Sequence, residues 1–134
     1  MEMIIDFPGG ARVDAHFMPF IVQTDQPATG GGEGSAPTPF EVFLSSIGTC
    51  AVIYVLGFCR QRDLPTDGIR IVERVRANRE TGMIDRIDLE IQVPPSFPKQ
   101  YHSALIRSAE LCKVKKTLEN PPQFEIVTKQ VEAV

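Results

Sequence analysis

The run from Thr38 to Arg62, "TPFEVFLSSIGTCAVIYVLGFCRQR", most constrains what this chain can fold into. Between Val42 and Cys59 it holds neither a charge nor a proline. Thr38, Pro39, Phe40 and Glu41 read as N-cap, N1, N2 and N3 of a helix. Proline suits N1, where the missing N–H has no helical partner, and Thr38 with Glu41 has the spacing of a capping box. Leu64-Pro65 stops the helix near Arg62. Its apolar residues, among them Val42, Leu44, Ile47, Val52, Ile53, Val55 and Phe58, lie all round it, the pattern of a helix covered on most sides. The uncharged stretch only just reaches the roughly 18 residues of a membrane span, and Ser45, Ser46, Gly48 and Thr49 interrupt it, so no membrane segment is expected. One chain of 134 residues makes one domain, and such a domain has too few elements to surround this helix. A second copy of the chain would cover what the first leaves bare, so a homodimer is expected.

A net charge of −3 favours neither nucleic acid nor an anionic membrane as partner. The opening "MEMIIDFPGG" has no basic start and no long apolar segment, so no secretory signal is expected. Three cysteines in such a chain do not make a disulfide framework. They suit redox, catalytic or packing roles in a reducing compartment, most simply the cytoplasm.

The flanking segments predict an α+β domain spanning residues 1–134. Residues 1–25 read as strands, with a "PGG" turn and a bend or edge at Pro19. "QPATGGGEGSAPTP" is a loop, either a flexible connector or a lid beside a site. It lacks the Gly-Lys-Ser/Thr of a phosphate loop. Residues 66–94 form a hairpin: Ile87, Leu89, Ile91 and Val93 alternate with Arg86, Asp88, Glu90 and Gln92. Arg70, Arg74 and Arg76 read as its solvated face. A second helix is expected over 98–119, with Tyr101, Leu105, Ala109 and Cys112 on its inward stripe, and a closing strand over 123–131.

Few residues are candidates for chemistry. Cys50 sits in the middle of the first helix, just after its small residues, and Cys112 on the second. Taken singly, each reads first as a small packing residue. Cys59 is nine positions beyond Cys50, on the opposite side of a helix with 3.6 residues per turn, so the two share no site there. Activation of a thiol needs a nearby positive charge or hydrogen-bond donor. Lys113, Lys115 and Lys116 follow Cys112, but lysines at a helix end ordinarily complement its dipole. Tyr54, one turn beyond Cys50, reads as core, and Glu41 as a cap. Arg12 follows the Gly9-Gly10 turn. His16 and His102 are isolated in sequence, with no ligand pair at metal-binding spacing, so no metal is expected. Gly-x-Ser-x-Gly is absent.

"PTPFEVFLSSIGTC", the buried helix, the hairpin and "SAELCKVKKTLE" together resemble the OsmC/Ohr family of peroxide-reducing proteins. "TDQP" followed by a glycine-rich loop is similar to the family's uncharacterised OsmC-like branch. The resemblance implies antiparallel sheets around long central helices in an intertwined homodimer with two interfacial sites. It also implies a thiol peroxidase acting on organic hydroperoxides, with Cys50 as peroxidatic and Cys112 as resolving thiol. A dithiol reductant would serve as co-substrate, with no metal, flavin or haem. An arginine would hold the thiolate, with Arg12 the residue available, and an acidic residue near the proline belongs to the site, with Glu41 the residue available. Three positions depart from the pattern. Phe40 stands directly after the proline, where the peroxidases have their acidic residue. The loop before the helix has no arginine. Cys112-Lys113-Val114 replaces Cys-Pro-Val, which should let the helix run on through Cys112. The alternative implied by these departures is a non-catalytic dimer binding a small apolar or thiol-containing ligand. A purely structural dimer is the third reading.

Overall fold

The computed structural model describes residues 1–133. Three strands, β1 (Ile4–Gly9), β2 (Arg12–Phe17) and β3 (Phe20–Thr24), form an antiparallel meander in the order β1-β2-β3. Gly10, at φ +58°, takes the left-handed turn between β1 and β2 that a side chain would resist. Pro19 lies in the β2–β3 turn, the bend expected of it.

The loop that follows is not a slack connector. Asp25 is 1% exposed, and its carboxylate gathers the loop around itself. Oδ1 accepts the Gln26 amide at 2.7 Å. Oδ2 accepts the Ser35 amide at 3.0 Å, the Ser35 hydroxyl at 2.6 Å and the Glu33 amide at 3.4 Å. Gly32 packs so tightly here that a Cβ would stand 2.0 Å from the Gln26 carbonyl oxygen. The Asp25 amide donates to the Pro37 carbonyl, which ties the meander to the start of the next helix.

That helix, α1 (Pro39–Gln61), begins as its sequence dictates. The Glu41 amide donates to Thr38 Oγ1 at 3.2 Å, and Glu41 Oε1 accepts the Thr38 amide at 3.2 Å. By length and composition alone α1 would also pass as a membrane span. Only Ile47, Ala51, Val55 and Cys59 are buried, one residue per turn along a single stripe. The expectation of cover on most sides therefore fails within one chain. A single hairpin and two short helices shield one flank, and Phe40 and Ile53 stay 52% and 58% exposed.

The hairpin pairs β4 (Arg70–Ala77) with β5 (Ile84–Gln92). Asn78 shapes its turn, with Oδ1 accepting the Glu80 and Thr81 amides at 2.8 and 3.1 Å. Arg70, Arg74 and Arg76 face solvent, as expected, and Arg74 pairs with Glu90 at 3.0 Å.

The second helix is broken. A short 3-10 turn (Lys99–Tyr101) leads into α2 (His102–Glu110), and after Leu111 and Cys112 the chain starts again as α3 (Lys113–Glu119). Cys112 takes φ −48°, ψ 127°, an extended conformation at the N-cap of α3. The break thus forms without a proline, contrary to the continuous helix expected over 98–119. The core accounts for it, because Leu105 on α2 and Cys112 at the break are both 1% exposed. Val55, Cys59, Phe97 and Leu105 form that core, with Ile69, Ile91 and Val93 of the hairpin segment packed against it. Residues 121–133 take no regular structure, in place of the strand expected over 123–131. The segment has strand composition, but a strand exists only where another strand meets its backbone groups, and among the described residues no strand pairs with it.

Candidate functional site: a dithiol at the start of a helix

Cys50 is half-buried on α1, one residue before the buried stripe position Ala51. The break at Cys112 aims the start of α3 at it. The first amides of a helix have no partner within the helix and carry its positive dipole end. Here the amides of Val114 and Lys113 act as hydrogen-bond donors toward the Cys50 sulfur, as does the Cys112 thiol. Both cysteines are free thiols.

The electrostatics of the two sulfurs diverge. Burial pushes the Cys50 thiol up. The Cys112 S–H, the Val114 and Lys113 amides and the Lys113 charge outweigh burial, and the thiol lies below its usual value. Cys112 is pushed up, first by burial and then by its role as donor to Cys50 and by the negative charge there. The two thiols are therefore unlike: Cys112 is placed as the donor and Cys50 as the acceptor between them. Cys59 is pushed up by burial and packs in the core, apart from Cys50, as its place on the opposite side of the helix predicted.

Glu41 and Arg12 are placed elsewhere within one chain. Glu41 is exposed and engaged with Thr38, including a 2.9 Å hydrogen bond from the Thr38 hydroxyl. Arg12 lines a recess with Gly10, Asp25, Gly31 and Glu33, beside the glycine-rich loop. Neither is among the groups that shift the Cys50 thiol. Tyr54 is half-buried on α1.

Two residues escaped sequence reading. The Asp25 carboxylate is drawn down to about 2, chiefly by the Ser35 hydroxyl, then by the Ser35 and Gln26 amides. The "TDQP" sequence held the residue, but nothing local announced its partners ten positions on. Glu73 lies on the helix-facing side of β4, between the apolar Ile71 and Val75. Burial pushes its carboxyl up, and the Gly48 amide offsets this in part. A Cβ on Gly48 would lie 2.6 Å from Glu73 Oε1, so glycine admits the carboxylate to the helix surface. A single acidic residue at an inward position of an alternating strand was the available signal. Glu73, Gly48, Thr49 and Val52 line a groove of about 480 Å³ along α1.

A long capped helix with Cys50 at its middle, antiparallel sheets before and after it in sequence, and Cys112 at the start of α3 define an α+β protein with a partly buried pair of thiols. A family model described as "OsmC-like protein" matches residues 32–127, and the chain belongs to that family. The comparison with curated proteins finds no match. Among solved structures the chain is similar to a Psychrobacter arcticus 273-4 protein provisionally described as osmotic stress induced and detoxification response. The TM-score is 0.73 at 16% identity, over 86% of this chain and 85% of that one. It is also similar to an organic hydroperoxide resistance protein OsmC of Legionella pneumophila (TM-score 0.53, 17% identity, 88% and 89% covered). OhrB, the organic hydroperoxide resistance protein of Bacillus subtilis, aligns with TM-score 0.55 at 14% identity over 90% and 93% of the two chains. At these identities the likeness establishes the fold, α+β with antiparallel sheets, as the sequence resemblance implied.

Proposed function

We propose that the protein is a thiol-dependent peroxidase of organic hydroperoxides that works as a homodimer. The observation that carries this reading is the Cys50 thiol, drawn below its usual value by Cys112 and the first amides of α3. A Cys50 thiolate attacks the distal peroxide oxygen, and the O–O bond breaks. The sulfur keeps that oxygen, as sulfenic acid, and the alkoxide leaves, taking one proton to become the alcohol. The Cys112 thiol then attacks the sulfenic sulfur, expelling water and closing a Cys50–Cys112 disulfide. A dithiol reductant takes the disulfide back to two thiols by exchange and is itself oxidised. The cycle requires no metal, flavin or haem and suits a reducing compartment such as the cytoplasm.

Homodimerisation is supported by the bare flank of α1 and the unpaired strand-like segment 121–133. Large apolar side chains, Phe124 at 85% and Ile126 at 94% exposure among them, stand in solvent on the single chain. Arg12 and Glu41 reach the dithiol in this reading only from across the interface. Intact mass after treatment with tert-butyl hydroperoxide tests the chemistry: a loss of two hydrogens, reversed by a dithiol, is expected, and an unchanged mass sinks it.

A second reading is a non-catalytic dimer that binds a small apolar or thiol-containing ligand. It is favoured by the engagement of Glu41 with Thr38 and by the place of Arg12 beside the loop. It requires an ordinary Cys50 thiol with a pKa of about 8.5. The rate of Cys50 alkylation against pH separates the two readings.

A further inference from the structure

The meander carries a cluster that the dithiol does not use. Asp6 on β1 stands directly opposite Asp14 on β2, and His16 lies two residues further along β2. Strand alternation therefore puts all three on one face of the sheet. One ligand atom from each, a carboxylate oxygen or an imidazole nitrogen, lies within 4.8 Å of the other two. In sequence His16 is isolated; the register of the hairpin supplies its neighbours.

Two carboxylates directly opposite each other on a sheet repel. His16 Nε2 lies 3.1 Å from Asp6 Oδ1 and accounts for one of them. Asp14 has no such relief. It is 6% exposed, and among the described residues its Oδ1 is a buried side-chain oxygen with no hydrogen-bond partner. Arg12, two positions earlier on the same face, forms no ion pair with it among the described residues. A buried carboxylate oxygen without a donor is costly. A cation between the three residues would remove both the repulsion and the orphaned oxygen. Two carboxylates and an imidazole are the donor set of a divalent first-row metal ion such as Mn²⁺ or Zn²⁺, with water completing the coordination.

We propose that Asp6, Asp14 and His16 form a divalent metal site on the N-terminal sheet, separate from the dithiol. The imidazole binds as the neutral ring, exchanging its hydrogen bond to Asp6 for a metal shared with it. Asp14 contributes the oxygen that is otherwise unpartnered. No redox step is involved.

Mn²⁺ is the suitable probe, because it favours carboxylate and imidazole over thiolate and so avoids Cys50 and Cys112. Added to ¹⁵N-labelled full-length protein, it should broaden the amide signals around residues 6, 14 and 16 saturably, leaving those around Cys112 sharp. His16→Ala, at a partly exposed position that leaves the core intact, should weaken this binding at least tenfold. Asp14→Asn should abolish it. Thermal unfolding gives an independent reading. In chelator the Asp14→Asn variant should unfold at a higher temperature than the wild type, and Mn²⁺ should raise the midpoint of the wild type alone. Absence of saturable broadening on β1 and β2, or broadening unchanged by His16→Ala, overturns the proposal.

Discussion

Oδ2 of Asp25 accepts both the hydroxyl and the backbone amide of Ser35, at 2.6 and 3.0 Å. This pair closes the glycine-rich loop and holds the folded-state pKa of Asp25 at about 2, against 3.8 for the free group. Between these values the unfolded chain binds more protons than the folded one. The stability Asp25 contributes is therefore complete above about pH 4 and is lost as pH falls toward 2. Asp25→Asn should lower stability at neutral pH and show a shallower acid limb than the wild type. Urea unfolding at pH 7, 4 and 2.5 checks this. Parallel curves for the two proteins would remove Asp25 as the anchor of the loop.

The three thiols should differ in reactivity. Cys50 is lowered by Cys112 and the α3 amides, Cys112 is raised, and Cys59 is raised by burial in the core. Iodoacetamide near neutral pH should modify Cys50 first and Cys59 only on unfolding. Cys112→Ala removes a donor from Cys50, so the pH midpoint of Cys50 alkylation should rise. Peptide mapping over a time course reads both effects.

Glu73 shows the opposite sign to Asp25. Burial raises its folded pKa above 4.5, so the folded state holds the extra proton. Its stability is full below about pH 4.5 and declines as pH climbs through the folded value. Glu73→Gln keeps the shape without the charge and should raise the unfolding midpoint at pH 7, the gain vanishing near pH 4. Gly48→Ala would force Oε1 out of a 2.6 Å approach. The Glu73 pKa, followed by NMR, should then fall toward that of a solvated carboxylate. An unmoved value would mean that Gly48 does not admit the carboxylate.

Residues of the core and of the bare flank should separate stability from association. Leu105, 1% exposed, should cost about 2–5 kcal/mol on truncation to alanine, with little effect on oligomeric state. Ile53, 58% exposed on the central helix, should do the reverse: Ile53→Asp leaves the chain folded but shifts sedimentation toward the monomer. A monomeric wild type at micromolar concentration would contradict the dimer.

Much of this protein was written locally. Thr38, Pro39 and Glu41 start α1 through a hydrogen-bonded box and a fixed φ. The alternation of Ile87, Leu89 and Ile91 makes β5, and Cys59 falls in the core because it continues the stripe of Ile47, Ala51 and Val55 along the helix. These rest on contacts within a few residues, where spacing along the chain is spacing in space. The family resemblance was legible for the same reason, since each of its motifs is a short local run.

The remainder depended on contacts between distant segments. The break at Cys112 carries no local signal once proline is absent, yet packing of α2 and of Cys112 places it there and turns the α3 amides toward Cys50. Asp25 and Ser35 meet across a loop, and Glu73 meets Gly48 across a hairpin and a helix. Asp6, Asp14 and His16 converge through a register that no single strand specifies. The segment 123–131 has the composition of a strand but pairs with none of the strands among the described residues. The sequence by itself determined the elements that local contacts specify and the residues able to do chemistry. The tertiary structure alone decided which of them share an environment, because pKa values, hydrogen bonds and ligand sets depend on distances that only packing fixes.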